Sequence, residues 1–238
     1  MQIPANVNIF PTPQELAENM ADEFVKTLQN TNSSYHISLS GGSTPKLLFQ
    51  ILAEKYTKLN WQQLHFWWGD ERCVPPNDPE SNFGEANRLF FSKINIPKEN
   101  IHRIKGESKP EKEVLRYAQA IKTQLTNNQN NVPVFDWIIL GMGTDGHTAS
   151  LFPHMQPLEH NLTQIAEHPV TGQKRISLGI KALCNAKKVT ILVTGKSKAN
   201  LIRNILKKDK QAESYPIYHI VKKRSVIWML DKNAASKI

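Results

Sequence analysis

The sequence predicts an α/β protein with a mostly parallel sheet and helices on both of its faces. Short apolar runs, typical of buried strands, alternate along the 238-residue chain with amphipathic segments of helical period. A parallel strand is reached through a crossover, which is usually a helix, so this alternation favours a parallel sheet covered on both sides.

The first predicted helix begins after Thr12, because Pro13 and Glu15 follow this capping residue and apolar residues recur at helical spacing over about four turns. The other elements predicted before residue 125 are a strand over 35–40, a helix from 44–45, a strand over 64–68, a helix after Ser81 that runs to 94, and a helix after Ser108, which would form a capping box with Glu111.

The asparagine-rich stretch 127–131 is interpreted as a solvated loop and not as a domain linker, because an apolar run follows at once. Later strands are predicted over 134–140, 175–180, 189–194 and 226–230, with a helix over 198–207. The chain has no internal repeat, so we predict one domain over 1–238.

Composition places the chain among globular proteins, with 39% hydrophobic and 21% charged residues. No apolar run approaches the roughly 18 residues of a membrane span, and residues 1–6 lack the basic and apolar pattern of a secretory signal. We therefore expect a cytoplasmic protein without a membrane partner. Cys73 and Cys184 match neither a disulfide framework nor a metal motif, although one bridge between them stays open.

The net charge of +9 suits either nucleic acid or an anionic metabolite. We interpret the basic clusters at 207–210 and 222–224 as a solvated helix end and a turn. An RNA-binding module is the non-enzymatic alternative, but the chain lacks an aromatic strand motif and a G-x-x-G clamp. We predict no nucleic-acid partner; salt-sensitive RNA binding would favour the alternative.

Three loops at predicted strand ends carry the candidate chemistry, since ligands of open parallel sheets collect there. The first, residues 40–45 (SGGSTP), combines small residues, hydroxyl groups and the positive end of a helix, which suits a phosphate. The alternative is a tight turn with Thr44 as an ordinary cap. The loop over 40–45 is not a Walker loop, because the Gly-Lys ending is absent.

The second loop places Asp70, Glu71 and Arg72 in succession. Arg72 can bind a phosphate through two hydrogen bonds or stabilise an oxyanion. The alternative is a surface ion cluster without a role.

The third loop, residues 141–150, holds Asp145 and His147 among three glycines, directly after an apolar strand. A histidine titrates near neutral pH, so it can take a proton from water and return it to a leaving group, while the acid orients it. His154, His160 and His168 lie near it in the chain, but the spacings match no zinc pattern and we predict no metal site.

Four motifs together resemble those of the 6-phosphogluconolactonases in order and spacing: 40–45, 70–75 (DERCVP), 81–82 and 141–153 (GMGTDGHTASLFP). The resemblance runs from about residue 35 to 230. It implies a Rossmann-like α/β fold shared with glucosamine-6-phosphate deaminases. It also implies cofactor-independent hydrolysis of 6-phospho-D-glucono-1,5-lactone to 6-phospho-D-gluconate in the oxidative pentose phosphate pathway, by a monomer or a homodimer.

The resemblance implies that His147 is the catalytic histidine and that Asp70, Arg72 and Asp145 are the polar groups around it. Together with the glycine turn, it predicts a set of residues that bind the substrate phosphate. They are Gly41, Gly42, Ser43, Thr44, Arg175 and Lys198.

A sugar-phosphate isomerase or deaminase on the same fold is the other enzymatic alternative. The deaminase motif resembles D-G-H-I-A-F-N-E-P, with a glutamate five residues after the histidine, and this chain has Phe152 there. That difference argues against ring opening. Ammonia release from an amino-sugar phosphate would favour the deaminase alternative. The chain also departs from the lactonases at 168–173 (HPVTGQ), where they usually carry a proline pair.

Overall fold

Seven parallel strands form the main sheet of the structure, a computed structural model that describes residues 4–31, 33–155 and 160–238. In order across the sheet they are β1 (Val7–Phe10), β10 (Ile227–Asp231), β9 (Lys188–Val193), β6 (Trp137–Gly141), β2 (Tyr35–Leu39), β3 (Leu64–Trp68) and β5 (Ile101–His102).

A second, antiparallel sheet branches from the end of β3. Its strands, in order, are β4 (Asp70–Arg72), β8 (Lys174–Leu178) and β7 (Thr163–Glu167). Gly69 makes the transition: its N–H still bonds Leu39 O of β2 at 2.8 Å, while its carbonyl already accepts from Leu178 N of β8 at 2.7 Å.

Seven α-helices connect the strands within the described residues. They are α1 (Pro13–Gln29), α2 (Ser43–Lys55), α3 (Asn82–Leu89), α4 (Pro110–Gln124), α5 (Ile180–Cys184), α6 (Ala199–Lys207) and α7 (Pro216–Lys223). Consecutive residues of β6 and β9 are buried, and because successive side chains of a strand point to opposite faces, both faces of the main sheet are covered. The predicted fold class is confirmed.

Large aromatic side chains fill much of the core. All five tryptophans of the chain are at most 1% exposed, and Trp137 of β6 packs against Phe24 of α1 with ring centroids 5.0 Å apart. Each such ring buries about 150–250 Å², which at roughly 25 cal/mol per Å² corresponds to about 4–6 kcal/mol of transfer free energy. These contacts hold α1 on the sheet.

Several predicted element boundaries are confirmed and others are wrong. Thr12 caps α1 by accepting from Glu15 N at 3.1 Å. The capping box after Ser108 is wrong, because Lys109 precedes α4 and Pro110 starts the helix without a side-chain cap. The helix after Ser81 ends at Leu89, where a 3-10 turn (Phe91–Lys93) follows.

The predicted strand over 175–180 belongs to the small antiparallel sheet, and it ends at Leu178 because Gly179 and α5 follow. The basic stretch 222–224 is the end of α7 and not an isolated turn. Six strands and helices of the structure have no counterpart among the predicted elements. They are β1, β4, which was predicted as a loop, β5, β7, α5 and α7.

The order of strands reverses between β2 and β6. From β2 the chain moves outward through β3 to β5, whereas from β6 it moves the other way through β9 to β10. The loops that follow β2 and β6 therefore leave the sheet in opposite directions and open a crevice between them, the usual ligand position in such folds.

No helix among the described residues is long and apolar enough to cross a membrane. Cys73 and Cys184 form no disulfide. Residues 1–3, which belong to the stretch judged to lack a secretory signal, lie outside the described residues. The cytoplasmic location and the single domain stay predictions.

Three histidines stack on one face of the main sheet. His36 of β2 lies opposite His65 of β3, and His102 of β5 lies opposite Trp67, which is two residues from His65 and shares its face. The ring centroids of His36 and His65 are 4.6 Å apart, and those of His65 and His102 are 5.3 Å apart. Burial, reinforced by the neighbouring His65, lowers the pKa of His36 to about 4 and that of His102 to about 4.

We expect this stack to make folding acid-sensitive. Histidines titrate near pH 6.5 in the unfolded chain, so between pH 6.5 and 4 the unfolded state binds more protons, and the free energy of unfolding falls as the pH drops, by about 1.4 kcal/mol per unit and per histidine. Urea unfolding at several pH values in the presence of a chelator measures this slope. His102→Gln should reduce the slope and replacement of the exposed His154 should not; equal slopes in all three proteins would contradict the expectation.

Candidate active site

A cleft opens at the carboxyl ends of the main-sheet strands, at the point where the strand order reverses. It is lined by the loops after β2, β6 and β9 together with residues of β4, β8 and α3. All predicted site residues except Asp145 lie in its wall. The three loops singled out in the sequence therefore meet at one place.

The glycine turn after β2 presents the beginning of α2 to the cleft. Gly42 precedes the helix with φ +106°, a conformation that side chains rarely adopt, and it offers no side-chain cap. The first N–H groups of this 13-residue helix therefore face the cleft and suit an anion. Ser40 is unavailable to a ligand, because its hydroxyl donates to Ile139 O of β6 at 2.7 Å.

Thr44 is not the cap that the alternative interpretation of this turn requires. It lies inside α2, is only 6% exposed, and its hydroxyl is 3.1 Å from the hydroxyl of Thr194, the residue that follows β9. The contact ties the glycine turn to the opposite side of the crevice. Gly41 packs so closely on Asn82 that a Cβ at this position would collide with the Asn82 side-chain amide.

His147 and Asp145 form a hydrogen-bonded pair in the loop after β6. The His147 Nδ1 atom lies 2.6 Å from Asp145 Oδ1, and the same oxygen accepts from His147 N at 3.1 Å. Burial works against the charge of Asp145, but these hydrogen bonds from His147 outweigh it and lower the pKa of Asp145 to about 2. An ionised carboxylate accepts a hydrogen bond from Nδ1–H of the neutral ring, which leaves Nε2 with a free lone pair.

Gly143 is required beside this pair because its Cα lies against the imidazole. A Cβ at Gly143 would collide with the His147 ring and with Asp145 Oδ1. Gly146 adopts φ +81° and packs against Tyr215, where a Cβ would also collide. Two of the three glycines of the loop thus have a steric cause, while a Cβ at Gly141 would contact nothing.

The small sheet supplies the charged wall of the cleft. Arg72 lies opposite Arg175, and Asp70 lies opposite Ser177, so alternation places these side chains on the same face. The loop over 168–173, where the chain departs from the lactonase pattern, is a tight hairpin between β7 and β8, closed by a bond from His168 N to Gln173 O at 3.0 Å. The hairpin fixes β8 against β7, and the pairing of β4 with β8 places Arg175 opposite Arg72.

Two guanidinium groups therefore lie side by side with spare donors. The Nε atoms of Arg72 and Arg175 are both buried without a hydrogen-bond partner. Burial, followed by the like charge of Arg72, lowers the pKa of Arg175. Asp70 is the nearby carboxylate, but its Oδ2 lies 4.0 Å from Arg175 and accepts from Ser150 Oγ at 2.7 Å. A half-buried positive pair with unused donors suits an anionic ligand.

Lys198 approaches from the opposite side of the cleft. It lies at the end of the turn after β9, where Gly195 takes φ +95° and donates its N–H to Asp231 Oδ1 at 2.9 Å. The Lys198 Nζ atom donates to Met142 O at 2.6 Å. Burial lowers the pKa of Lys198, although the charge of Asp145 opposes this shift. The cation is thus directed over the loop that carries His147.

The two adjacent acids of the second loop have different surroundings. Asp70 faces the cleft, whereas Glu71 is 1% exposed and accepts from the N–H groups of Asn82 and Phe83 at the start of α3, each at 2.8 Å. Burial raises the pKa of Glu71 although these hydrogen bonds lower it. Glu71 therefore holds α3 in place and is not a cleft residue.

Several polar residues without a predicted site role lie in the cleft or support it, although Asn82 and Ser150 belong to sequence motifs named above. Asn82 donates to Asp70 O at 2.9 Å and lines the cleft. Ser150 and Thr194 hold Asp70 and Thr44, respectively. The sequence marks Asn82 as the first residue of a capped helix. Its hydrogen-bond partners, Glu71 and Asp70, are 11 and 12 residues away in the chain, so no local pattern joins them.

Phe152 occupies the position where the deaminase motif carries a glutamate. It is 1% exposed, and its ring centroid lies 5.0 Å from that of His147, with the Arg175 guanidinium 5.8 Å away on one face. His154 and His168 also contact this ring, at centroid distances of 5.9 and 5.4 Å. Among the described residues, the group of histidines and acids close enough to share a metal ion lies outside the cleft, at His36, His65 and His102.

Comparisons with known proteins agree with this geometry. Residues 11–228 match the family model described as glucosamine-6-phosphate isomerases/6-phosphogluconolactonase. The 6-phosphogluconolactonase of Haemophilus influenzae is 51% identical over 94% of this chain and 96% of its own length. The 6-phosphogluconolactonase of Aggregatibacter actinomycetemcomitans is 49% identical over 97% and 98%.

A solved structure of a protein named devB superposes with a TM-score of 0.91 at 48% identity, covering 98% of this chain and 99% of the other. The family match spans far more than half of the chain, and the similarity to both relatives is nearly full-length. The chain belongs to the glucosamine-6-phosphate isomerase/6-phosphogluconolactonase family.

Proposed function

We propose that the chain hydrolyses 6-phospho-D-glucono-1,5-lactone to 6-phospho-D-gluconate, as a carboxylic ester hydrolase of the oxidative pentose phosphate pathway. The observation that carries this proposal is the His147–Asp145 pair, which faces an anion-binding turn while Phe152 replaces the carboxylate that ring opening requires. The relatives named 6-phosphogluconolactonase at about 50% identity support the same substrate.

The phosphate of the substrate binds first, at the end of the cleft that the glycine turn forms. The N–H groups at the start of α2, the hydroxyls of Ser43 and Thr44, and the cations of Arg175 and Lys198 supply its donors. Because this end is remote from the reacting carbon, its binding energy serves to position the lactone carbonyl beside His147.

His147 then acts as the general base. Since Asp145 holds Nδ1, the Nε2 atom accepts a proton from water, and the water oxygen adds to C1 of the lactone. The negative charge moves to the carbonyl oxygen, where Arg72 or backbone N–H groups stabilise it, a contribution of about 3–4 kcal/mol for a single donor.

Collapse of the tetrahedral intermediate breaks the bond between C1 and the ring oxygen. The proton on His147 passes to this oxygen, which becomes the C5 hydroxyl, and C1 becomes a carboxylic acid that releases its own proton to solvent as the product ionises. Asp145 stabilises the charged imidazole between the two transfers. Asp70, fixed by Ser150 and Asn82, orients Arg175 in the wall.

A coupled assay on freshly generated lactone, with the spontaneous hydrolysis rate subtracted, tests the proposed reaction. We expect enzyme-dependent formation of 6-phosphogluconate and no release of ammonia from glucosamine 6-phosphate. Ammonia release without lactone hydrolysis would establish the deaminase alternative. Salt-sensitive RNA binding without either activity would establish the non-enzymatic one.

His147→Ala should lower kcat by about 10²–10⁴-fold with little change in KM, because the general base acts on water and not on the bound phosphate. The exposed His154 contacts the same Phe152 ring, so His154→Ala is the matched control and should retain turnover. Near-wild-type kcat in His147→Ala would remove this residue from the mechanism.

Lys198→Ala should mainly raise KM, since the ammonium binds a group remote from C1. Lys196 lies in the same turn and is exposed, so Lys196→Ala controls for the net charge of the turn. Steady-state kinetics of the two variants provide the measurement. An equal effect of both substitutions, or an unchanged KM in Lys198→Ala, would exclude a phosphate contact at Lys198.

A further inference from the structure

We propose that His36, His65 and His102 form a binding site for a divalent transition-metal ion such as Zn²⁺, on the main sheet and away from the cleft. The three side chains come from three neighbouring strands, β2, β3 and β5, and they lie on one face of the sheet. One ring nitrogen from each histidine lies within 4.8 Å of one from each of the others.

The distances fit a shared ion. His65 Nδ1 and His102 Nε2 are 3.1 Å apart. With zinc–nitrogen bonds of about 2.0–2.1 Å, two nitrogens at this separation subtend an angle of roughly 100° at the ion, close to tetrahedral. A modest rotation of the His36 ring completes a three-nitrogen set, and water supplies the fourth ligand. His65 and His102 are partly exposed, which gives the ion a path.

The protonation state of the histidines is already the one that binds a metal. Burial holds the pKa of all three below the ordinary histidine value, so the rings are neutral at pH 7. The hydrogen that His65 and His102 share across their 3.1 Å contact moves to another ring nitrogen when both ligate. Neutral imidazole is the preferred ligand of zinc, nickel and copper.

The charged groups around the stack are largely paired with one another. Lys187, which faces His36, donates to Asp136 Oδ1 at 2.7 Å, and the second oxygen of Asp136 accepts from His36 N at 2.8 Å. Arg116, which faces His102, is held by Glu113 through bonds of 2.7 and 2.5 Å. Repulsion of a divalent cation by these neighbours is thereby reduced.

The indole of Trp67 competes with a metal ion for His36. Its indole N–H donates to His36 Nδ1 at 3.1 Å, and its ring stacks on His102 with centroids 4.0 Å apart. This hydrogen bond places the proton of neutral His36 on Nε2, so ligation by His36 requires the indole to give up its acceptor. Removal of the indole N–H by Trp67→Phe should therefore tighten metal binding severalfold.

The test is calorimetric titration of the full chain, freed of metal by a chelator, with Zn²⁺ at pH 7. We expect saturable binding of one ion per chain and a higher Tm in its presence. Each of the single variants His65→Gln and His102→Gln should weaken binding at least tenfold, whereas His154→Gln, at an exposed histidine beside Phe152, should not. Circular dichroism establishes that each variant is folded.

Absence of saturable binding to the wild-type chain below about 100 µM Zn²⁺ would overturn the proposal whatever the variants do. So would binding that His154→Gln abolishes and the two sheet variants keep. Co²⁺ provides a second measurement: a tetrahedral visible spectrum that disappears in His102→Gln supports the site, and an octahedral spectrum in the wild-type chain contradicts it. His36 lies four residues before Ser40, roughly 13 Å along the strand, so lactone hydrolysis is independent of this result.

Discussion

The pairing of β2 with β6 is the contact on which the rest of the structure depends. Ile37 lies opposite Trp137 and Ser38 opposite Ile138, and the Ser40 hydroxyl then bonds Ile139 O. These few contacts join two halves of the chain that are about a hundred residues apart. Because the strand order reverses here, the glycine turn and the histidine loop separate above the pair and leave the cleft between them. A shift in this register would displace one loop relative to the other.

The antiparallel sheet carries the charged side chains of the cleft, which the buried parallel sheet cannot accommodate. In a parallel strand buried on both faces there is little room for charged side chains, so Asp70, Arg72 and Arg175 lie where the chain leaves the main sheet at Gly69. Because successive side chains of a strand point to opposite faces, the neighbours Asp70 and Glu71 of β4 point in different directions. One faces the cleft, and the other binds the start of α3, which in turn places Asn82 against Gly41. One short strand thus connects the charged wall to the glycine turn.

The fold class and most of the site could be predicted because their signals are local. Apolar runs mark the central strands, and a glycine turn or an Asp-x-His loop directly follows the strand that supports it. The two shortest helices and strands that were not predicted have no such signal: β5 has two residues, and α5 has five, too few for a period. The eight-residue α7 did have one, because Pro216 starts it and apolar residues recur along it. The Ser108 capping box fails because Pro110 starts the helix one residue later than that pattern requires.

Proximity that depends on register could not be predicted from local patterns, and only the family resemblance placed Arg72 and Arg175 in one site. Arg72 and Arg175 are about a hundred residues apart, and only the pairing of β4 with β8 shows that they are neighbours. The histidine stack is the same case, since residues 36, 65 and 102 become adjacent only once the order β2, β3, β5 is known. The histidines considered as metal ligands from the sequence were neighbours in the chain. The three histidines that cluster in the structure are far apart in the chain.

The two groups of histidines show how one residue type acquires different chemistry from its position in the sheet. His147 sits in a loop beyond a strand end, where an ionised Asp145 holds one nitrogen and leaves the other open to the cleft, as the proposed proton transfer requires. His36 sits within a strand, where burial disfavours that charge. A histidine of the second kind is a poor general base, since a proton taken up must be held against the cost of desolvation. Its neutral nitrogen is nevertheless suited to a metal ion, because the same burial that opposes the proton keeps the lone pair free.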